Sequence, residues 1–173
     1  QGDGIFGDKY NQNLWIYTAD CMPIIFADKK KRLIAAIHCG RKGIEKKIIK
    51  KLIKIFDNQG SCRNDLIVAI GPSITKENYF IDRYTLEKFY KKVYSKNLSG
   101  ITKNSFDLRS SLSQKKEKIH IDLRKYAYIQ LINENIPHTS IEISSLCTYE
   151  LVKEFHSWRR NKTLSRQWNF ICQ

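Results

Sequence analysis

Asp20-Cys21-Met22-Pro23, then the apolar runs 22–27 and 33–37, then His38-Cys39-Gly40-Arg41-Lys42-Gly43: this stretch decides the fold. The charged break Asp28-Lys29-Lys30-Lys31 between the runs reads as the turn of a β-hairpin. If Ala27 faces Arg32 across that turn, antiparallel counting sets Cys21 opposite His38 at the open end. Opposed residues on one face have Cβ atoms roughly 4.5–5.5 Å apart, close enough to share a metal ion or to pair thiol with imidazole. The same counting sends Cys39 to the other face, opposite Asp20. Cys21 is therefore the candidate site thiol, and Cys39 is expected to be packing.

Working outward, residues 14–18 read as a short strand leading into the hairpin. Residues 44–56 turn to helical period, with Ile44, Ile48, Leu52 and Phe56 on one face and lysines on the other. That basic amphipathic helix is expected to pack on a sheet and not to lie on a membrane. Residues 66–70 form a buried strand ended by Gly71-Pro72. Helices are expected over 84–94, 122–135 and 150–156, and a last strand over 141–146 delivers Cys147-Thr148. The polar, Ser/Lys-rich stretch 99–118 reads as a long loop. Strands and helices mix without strict alternation, which predicts an α+β class: one layered domain over 1–173, a mixed β-sheet with flanking helices.

Composition narrows the function classes. The chain has 173 residues, 42% of them hydrophobic, which is enough to close one core. Its apolar runs fall short of the roughly 18 residues that a membrane span needs. No membrane partner is expected. Five cysteines without a CxxC pair write neither a disulfide framework nor a zinc ribbon, and a reducing, cytoplasmic setting fits them. The net charge of +14 raises nucleic acid as a partner. Lysines scattered over several helices, without basic runs interleaved with aromatics, argue against it. The oligomeric state is not legible.

Gly2-Asp3-Gly4-Ile5-Phe6-Gly7 matches GxGxxG, yet no strand precedes it and no amphipathic helix follows. It reads as a turn. Gly40-Arg41-Lys42-Gly43 joins a strand to a helix start, where backbone N–H groups and two cations could cradle an anion. Cys147 is either core or pocket wall. Arg159, Arg160 and Arg166 form a C-terminal cationic cluster able to clamp phosphate or carboxylate, or simply to sit in solvent.

Together these residues resemble the bacterial laccase-domain (YfiH-like) family, whose members are labelled polyphenol oxidase, purine nucleoside phosphorylase or peptidoglycan editing factor. Thr18-Ala19-Asp20-Cys21-Met22-Pro23 matches its TADCxP, His38 to Gly43 its HAGWRG, and Ile70-Gly71-Pro72-Ser73-Ile74 with Tyr79 its IGPSI and Tyr. Cys147-Thr148 matches its CT, and Phe155-His156-Ser157-Trp158-Arg159-Arg160 with Arg166 its FxSxRR…GR ending. The likeness runs in order from about Gly2 to Arg166.

The resemblance implies a zinc ion held by two histidines and the TADC cysteine. It also implies phosphorolysis of adenosine, inosine, guanosine and methylthioadenosine, with adenosine deamination. By position, Cys21 and His38 become metal ligands. The other histidine belongs to a QVH motif upstream of the aligned start, so an N-terminal segment is expected beyond Gln1. Asp20 is the nearest candidate base, and Arg41, Lys42, Gly43, Cys147, Arg159, Arg160 and Arg166 are candidates for substrate and phosphate. Arg41-Lys42 stands where the family has Trp-Arg, and Ser165 where it has Gly, so phosphate binding is expected to survive better than base specificity. The competing readings are a cysteine hydrolase of cell-wall precursor amides using Cys21 and His38, a copper polyphenol oxidase, and a basic nucleic-acid-binding module. Copper is disfavoured because the chain lacks His-rich ligand sets.

Overall fold

The computed structural model describes residues 2–94 and 118–173. Most of the stretch expected to be a long loop, 99–118, lies outside them. Among the described residues the centre is a five-stranded mixed sheet. Its strands are β1 (Gly4–Gly7), β3 (Met22–Asp28), β4 (Ile34–Cys39), β5 (Leu66–Ile70) and β8 (Ile141–Ile143), in the order β1-β4-β3-β5-β8. Only β5 and β8 run parallel.

The two faces follow from the two-residue period of the strands. Met22, Ile24 and Phe26 of β3 and Ala35, Ile37 and Cys39 of β4 share one face. They form the main core with Ile44 of α1 (Arg41–Glu45), Ile49, Leu52, Ile53 and Phe56 of α2 (Ile48–Asn58), and Tyr126, Ala127 and Leu131 of α4 (Leu123–Asn133). Leu86 and Phe89 of α3 (Arg83–Val93) close its edge. On the opposite face Ile34 and Ala36 meet Leu14 and Ile16 of β2 (Asn13–Thr18). That strand pairs with β9 (Gln167–Cys172) as a separate antiparallel ribbon. The result is three layers: ribbon, sheet, helices. The α+β class with a mixed sheet and flanking helices is borne out.

The hairpin forms, with a different register. Ala27 pairs with Ile34, so His38 lies opposite Pro23, Cys39 opposite Met22, and Cys21 one step beyond the ladder. The cause is a longer turn. Asp28 caps it by accepting the backbone N–H groups of Lys30 and Lys31, each at 2.8 Å, and Arg32 takes a left-handed φ of 47°. The slip is two residues in the pairing sum, so facing is preserved: Cys21 and His38 share a face, and Cys39 lies in the core.

Other expectations are corrected. Gly2 to Gly7 is not a mere turn, because residues 4–7 pair with β4 as an edge strand. The single helix over 44–56 is two, broken where Lys47 takes a left-handed φ of 54°. Residues 150–156 form hydrogen-bonded turns, and the helix comes later as α5 (Trp158–Asn161), capped by the Ser157 hydroxyl accepting from Arg160 N. The last expected strand stops at Ile143. Unforeseen from the sequence are β9 and a small pair, β6 (Phe80–Ile81) with β7 (Ile119–His120).

Candidate active site

Cys21 and His38 stand at the end of the ribbon-side face of the sheet, where β3 begins and β4 ends. They line one cleft of about 830 Å³ with Asp3, Trp15, Tyr17, Trp158 and Arg166. As diagonal neighbours they are separated by roughly 7 Å in ordinary strand geometry, a gap that one imidazole and one bound ion can bridge. Gly40 makes room for the thiol: a Cβ at residue 40 would fall far inside contact distance of Cys21 Sγ.

Asp3 is a candidate site residue that the sequence reading does not pick out. His38 N donates to Asp3 O at 2.8 Å, which extends the pairing of β1 with β4, and Asp3 Oδ1 then lies 3.4 Å from His38 Nδ1. The carboxylate addresses one ring nitrogen and leaves the other without it, an arrangement like that by which an outer carboxylate orients a metal-binding imidazole. The available signal was Asp3 itself, inside a motif whose strand character was overlooked.

Burial pushes the Cys21 thiol up to about 11, and Asp20 and Asp3 add to the effect while Arg166 opposes it. A free thiol there is protonated at neutral pH and is a poor nucleophile, whereas a coordinated cation deprotonates such a group outright. Cys39, behind it, is buried and pushed higher still, chiefly by desolvation.

Asp20 sits beneath the cleft, buried, with φ at 84°. Its Oδ1 accepts from Thr148 Oγ1 at 2.8 Å and its Oδ2 from Arg159 N at 2.6 Å, so both oxygens are engaged. It ties the approach to Cys21 to the Cys147-Thr148 corner and to the start of α5. Arg160 does similar work, donating to the carbonyls of Thr148, Tyr149 and Phe155. Arg166 lies at the rim, its guanidinium 5.6 Å from the Trp158 ring.

The remaining candidates lie outside the cleft lining. Arg41 pairs with Glu45 and lies close enough to Tyr79 for its charge to favour the phenolate, while Arg159 sits 4.7 Å from the centre of the same Tyr79 ring. Tyr79 thus gathers the two cationic segments that the sequence keeps far apart. Lys42 is exposed, and Gly43 is buried against Cys39 and Ile48. Cys147 is buried and receives Thr75 Oγ1 at 3.4 Å and Asn78 Nδ2 at 3.6 Å. Burial alone would raise its thiol, but the Thr75 hydroxyl and the backbone N–H groups of Thr75, Glu150 and Tyr149 outweigh it and hold it below the usual range.

The resemblance implies a metal, and the donor set can be judged against it. A thiolate and an imidazole on one face, with a carboxylate behind the imidazole, have the chemistry that zinc selects. Among the described residues no group of three or more His, Cys, Asp and Glu side chains is assembled to hold an ion. Cys21 and His38 therefore fit as part of a ligand set.

Fold and site define a class: a three-layer α+β protein with a thiol and an imidazole paired at the end of its central sheet. The family is then shown directly. The family model described as multi-copper polyphenol oxidoreductase laccase matches residues 1–173, and the chain belongs to that family. A purine nucleoside phosphorylase of Synechocystis is 30% identical over 98% of this chain and 67% of its own length. The adenosine deaminase RL5, from an unknown prokaryotic organism, is 29% identical over 84% of this chain and 52% of its own. Among solved structures, the YfiH protein of Bacillus licheniformis superposes with a TM-score of 0.81 at 28% identity, covering 97% of this chain and 60% of that one. The chain thus spans between half and two thirds of the length of these relatives.

Proposed function

We propose that this chain carries the core of a zinc-dependent purine nucleoside phosphorylase that also deaminates adenosine. One observation carries the reading: the cleft that joins Cys21, His38 and Asp3 lies within the residues that the family model matches, in a chain most of which is shared with relatives named for those two activities. Cys21 and His38 would hold the zinc, with a third ligand from the upstream histidine that the resemblance implies. When bound, the ion would supply a Lewis acid and lower the pKa of a water.

The protein's own groups do the rest. Asp3 holds the His38 imidazole by Nδ1. Asp20 positions Cys21 and the start of α5. Trp158 in the cleft lining suits the planar purine by stacking, and Arg166 beside it can donate hydrogen bonds to the nucleoside. Phosphate is assigned to Arg41, with Arg159 beside it on Tyr79. Gly43 shapes the turn, Lys42 adds charge at its exposed side, Arg160 braces the Cys147 corner, and the setting is cytoplasmic. No described helix is long and apolar enough to cross a membrane. The thiol pushed up by burial argues against the cysteine hydrolase, and a mixed thiol–imidazole set suits zinc better than a multi-copper centre.

The test uses the protein at the full length its gene encodes. Elemental analysis should find about one zinc per chain, lost in the double variant Cys21→Ala plus His38→Ala and retained in Cys39→Ala. Inosine should yield hypoxanthine and ribose 1-phosphate only when phosphate is present. Zinc unchanged in the double variant, or free base released equally without phosphate or arsenate, overturns the reading.

A further inference from the structure

Folding gathers on one face part of the positive charge that the sequence scatters. Residues 41–58 carry seven lysines and arginines against two acids, Glu45 and Asp57. In α2 the apolar positions Ile49, Leu52, Ile53 and Phe56 are buried in the core. Helical period sets Lys50, Lys51 and Lys54 on the opposite side, all exposed. Lys46, which ends α1, and Lys47, which begins α2, continue the row where the two helices meet.

The acids do not balance this row. Glu45 is shared by Arg41 and by Lys92 of α3, whose Nζ lies 3.0 Å from Oε2, and Asp57 is held by both Nη atoms of Arg63. Lys50 reaches Glu134 of α4 at 3.6 Å. Among the described residues Lys46, Lys47, Lys51 and Lys54 have no carboxylate partner. Lys47 with Lys51, Lys50 with Lys54 and Lys51 with Lys54 set like charges three or four residues apart, which weakens a helix. The fold does not require the row.

We propose that this lysine face binds the phosphate backbone of a nucleic acid without regard to base sequence. Point charges spread along about 10 Å of helix suit a line of phosphates, from which lysines release condensed counterions. A protein partner would call for aromatic or aliphatic anchors, and lysine is depleted in such interfaces. A lipid surface would call for apolar side chains inserted beside the lysines, but those of α2 are committed to the core, and Ile55 alone among them is exposed, at 42%. The single aromatic residue within 41–58 is the buried Phe56, so no base is stacked and no sequence is preferred. The face belongs to the helix layer, across the sheet from the ribbon and the Cys21–His38 cleft. The proposal therefore does not depend on which reaction the cleft runs.

Fluorescence anisotropy tests it, with the protein at the full length its gene encodes and a labelled nucleic-acid duplex as probe. If about three to five phosphates are contacted, raising salt from about 50 to about 200 mM should weaken binding about 40- to 500-fold. The triple variant Lys46→Gln, Lys51→Gln and Lys54→Gln should bind about tenfold or more weakly, with a salt slope smaller by about three, and should be no less stable in urea. Lys9→Gln, Lys76→Gln and Lys153→Gln together remove the same charge from exposed positions outside α1 and α2, and that protein should bind like the parent. Absence of salt-dependent binding overturns the proposal. So does an equal loss in both triple variants, which would reduce the effect to net charge. Tighter binding to phosphatidylserine vesicles or to poly-glutamate than to the duplex, at equal charge concentration, overturns it as well.

Discussion

Replacing Gly40 by Ala probes the seat of the site thiol with one methyl group. Gly40 has φ of −94°, a backbone that any residue adopts, so the substitution introduces no strain of its own. Its added Cβ would lie under 3.0 Å from Cys21 Sγ, closer than real Cβ contacts, while Cys21 Cβ at 3.4 Å is tolerable. The sulfur must therefore rotate off its present rotamer, at a cost of about 0.5–1.5 kcal/mol. Losing glycine stabilises by ~0.4–1 kcal/mol through the unfolded chain, and losing it at a helix N-cap costs a few tenths to ~1 kcal/mol, so these two effects nearly cancel. Gly40→Ala should lower stability in urea by about 1 kcal/mol, and by about zero when Cys21 is already Ala, giving a coupling of about 1 kcal/mol. The displaced thiol should also weaken zinc binding about tenfold or more, since ~1.4 kcal/mol is a factor of ten. A Gly40→Ala protein with unchanged zinc affinity and no coupling to Cys21→Ala would refute the placement of the sulfur over Gly40.

Three further outcomes are expected. Arg41→Gln should raise the KM for phosphate about ten- to a hundredfold, from the ~1.5–3 kcal/mol of lost charge-assisted hydrogen bonds, and leave zinc content unchanged; Lys42→Gln, at an exposed position, should do much less. Asp20→Ala should destabilise by about 2–4 kcal/mol in urea, because it strands a buried and a part-buried donor and puts alanine at a left-handed φ. Asp20→Asn should cost less than the alanine change, since Asn tolerates that backbone and keeps one acceptor; equal losses would remove Asp20 from its structural role. For Asp28, burial acts to raise the carboxyl, but the nearby Ser61 hydroxyl and hydrogen bonds from the N–H groups of Lys30 and Lys31 outweigh it and hold it below the usual range. A depressed folded value means stability that is present above the unfolded pKa of about 3.9 and is lost as pH falls through the folded one. Acid unfolding below about pH 4 should therefore be shallower in Asp28→Asn than in the parent, and parallel profiles would contradict it.

Strand and helix periods were legible because they are local. Alternation over 22–27 and 33–37 set Cys21 and His38 on one face and Cys39 on the other, and that parity survived a turn longer than expected because the period of a strand is two. Helical spacing found α2, α3 and α4 for a similar reason. What alternation cannot determine is distance along the strand, which depends on how Asp28 and Arg32 close the turn.

The tertiary structure alone decided the pairings between remote segments. It brought Asp3 to His38, Arg41 and Arg159 to Tyr79, and β9 to β2. Such contacts leave no periodic mark, because each partner's local pattern suits several neighbours and the loop between them costs little more when longer. Which one forms depends on the apolar face still uncovered once the sheet is built. By itself the sequence determined the strand and helix periods and the face that the candidate thiol and imidazole share; packing decided which carboxylate stands behind the imidazole and which strand lies beside the cleft.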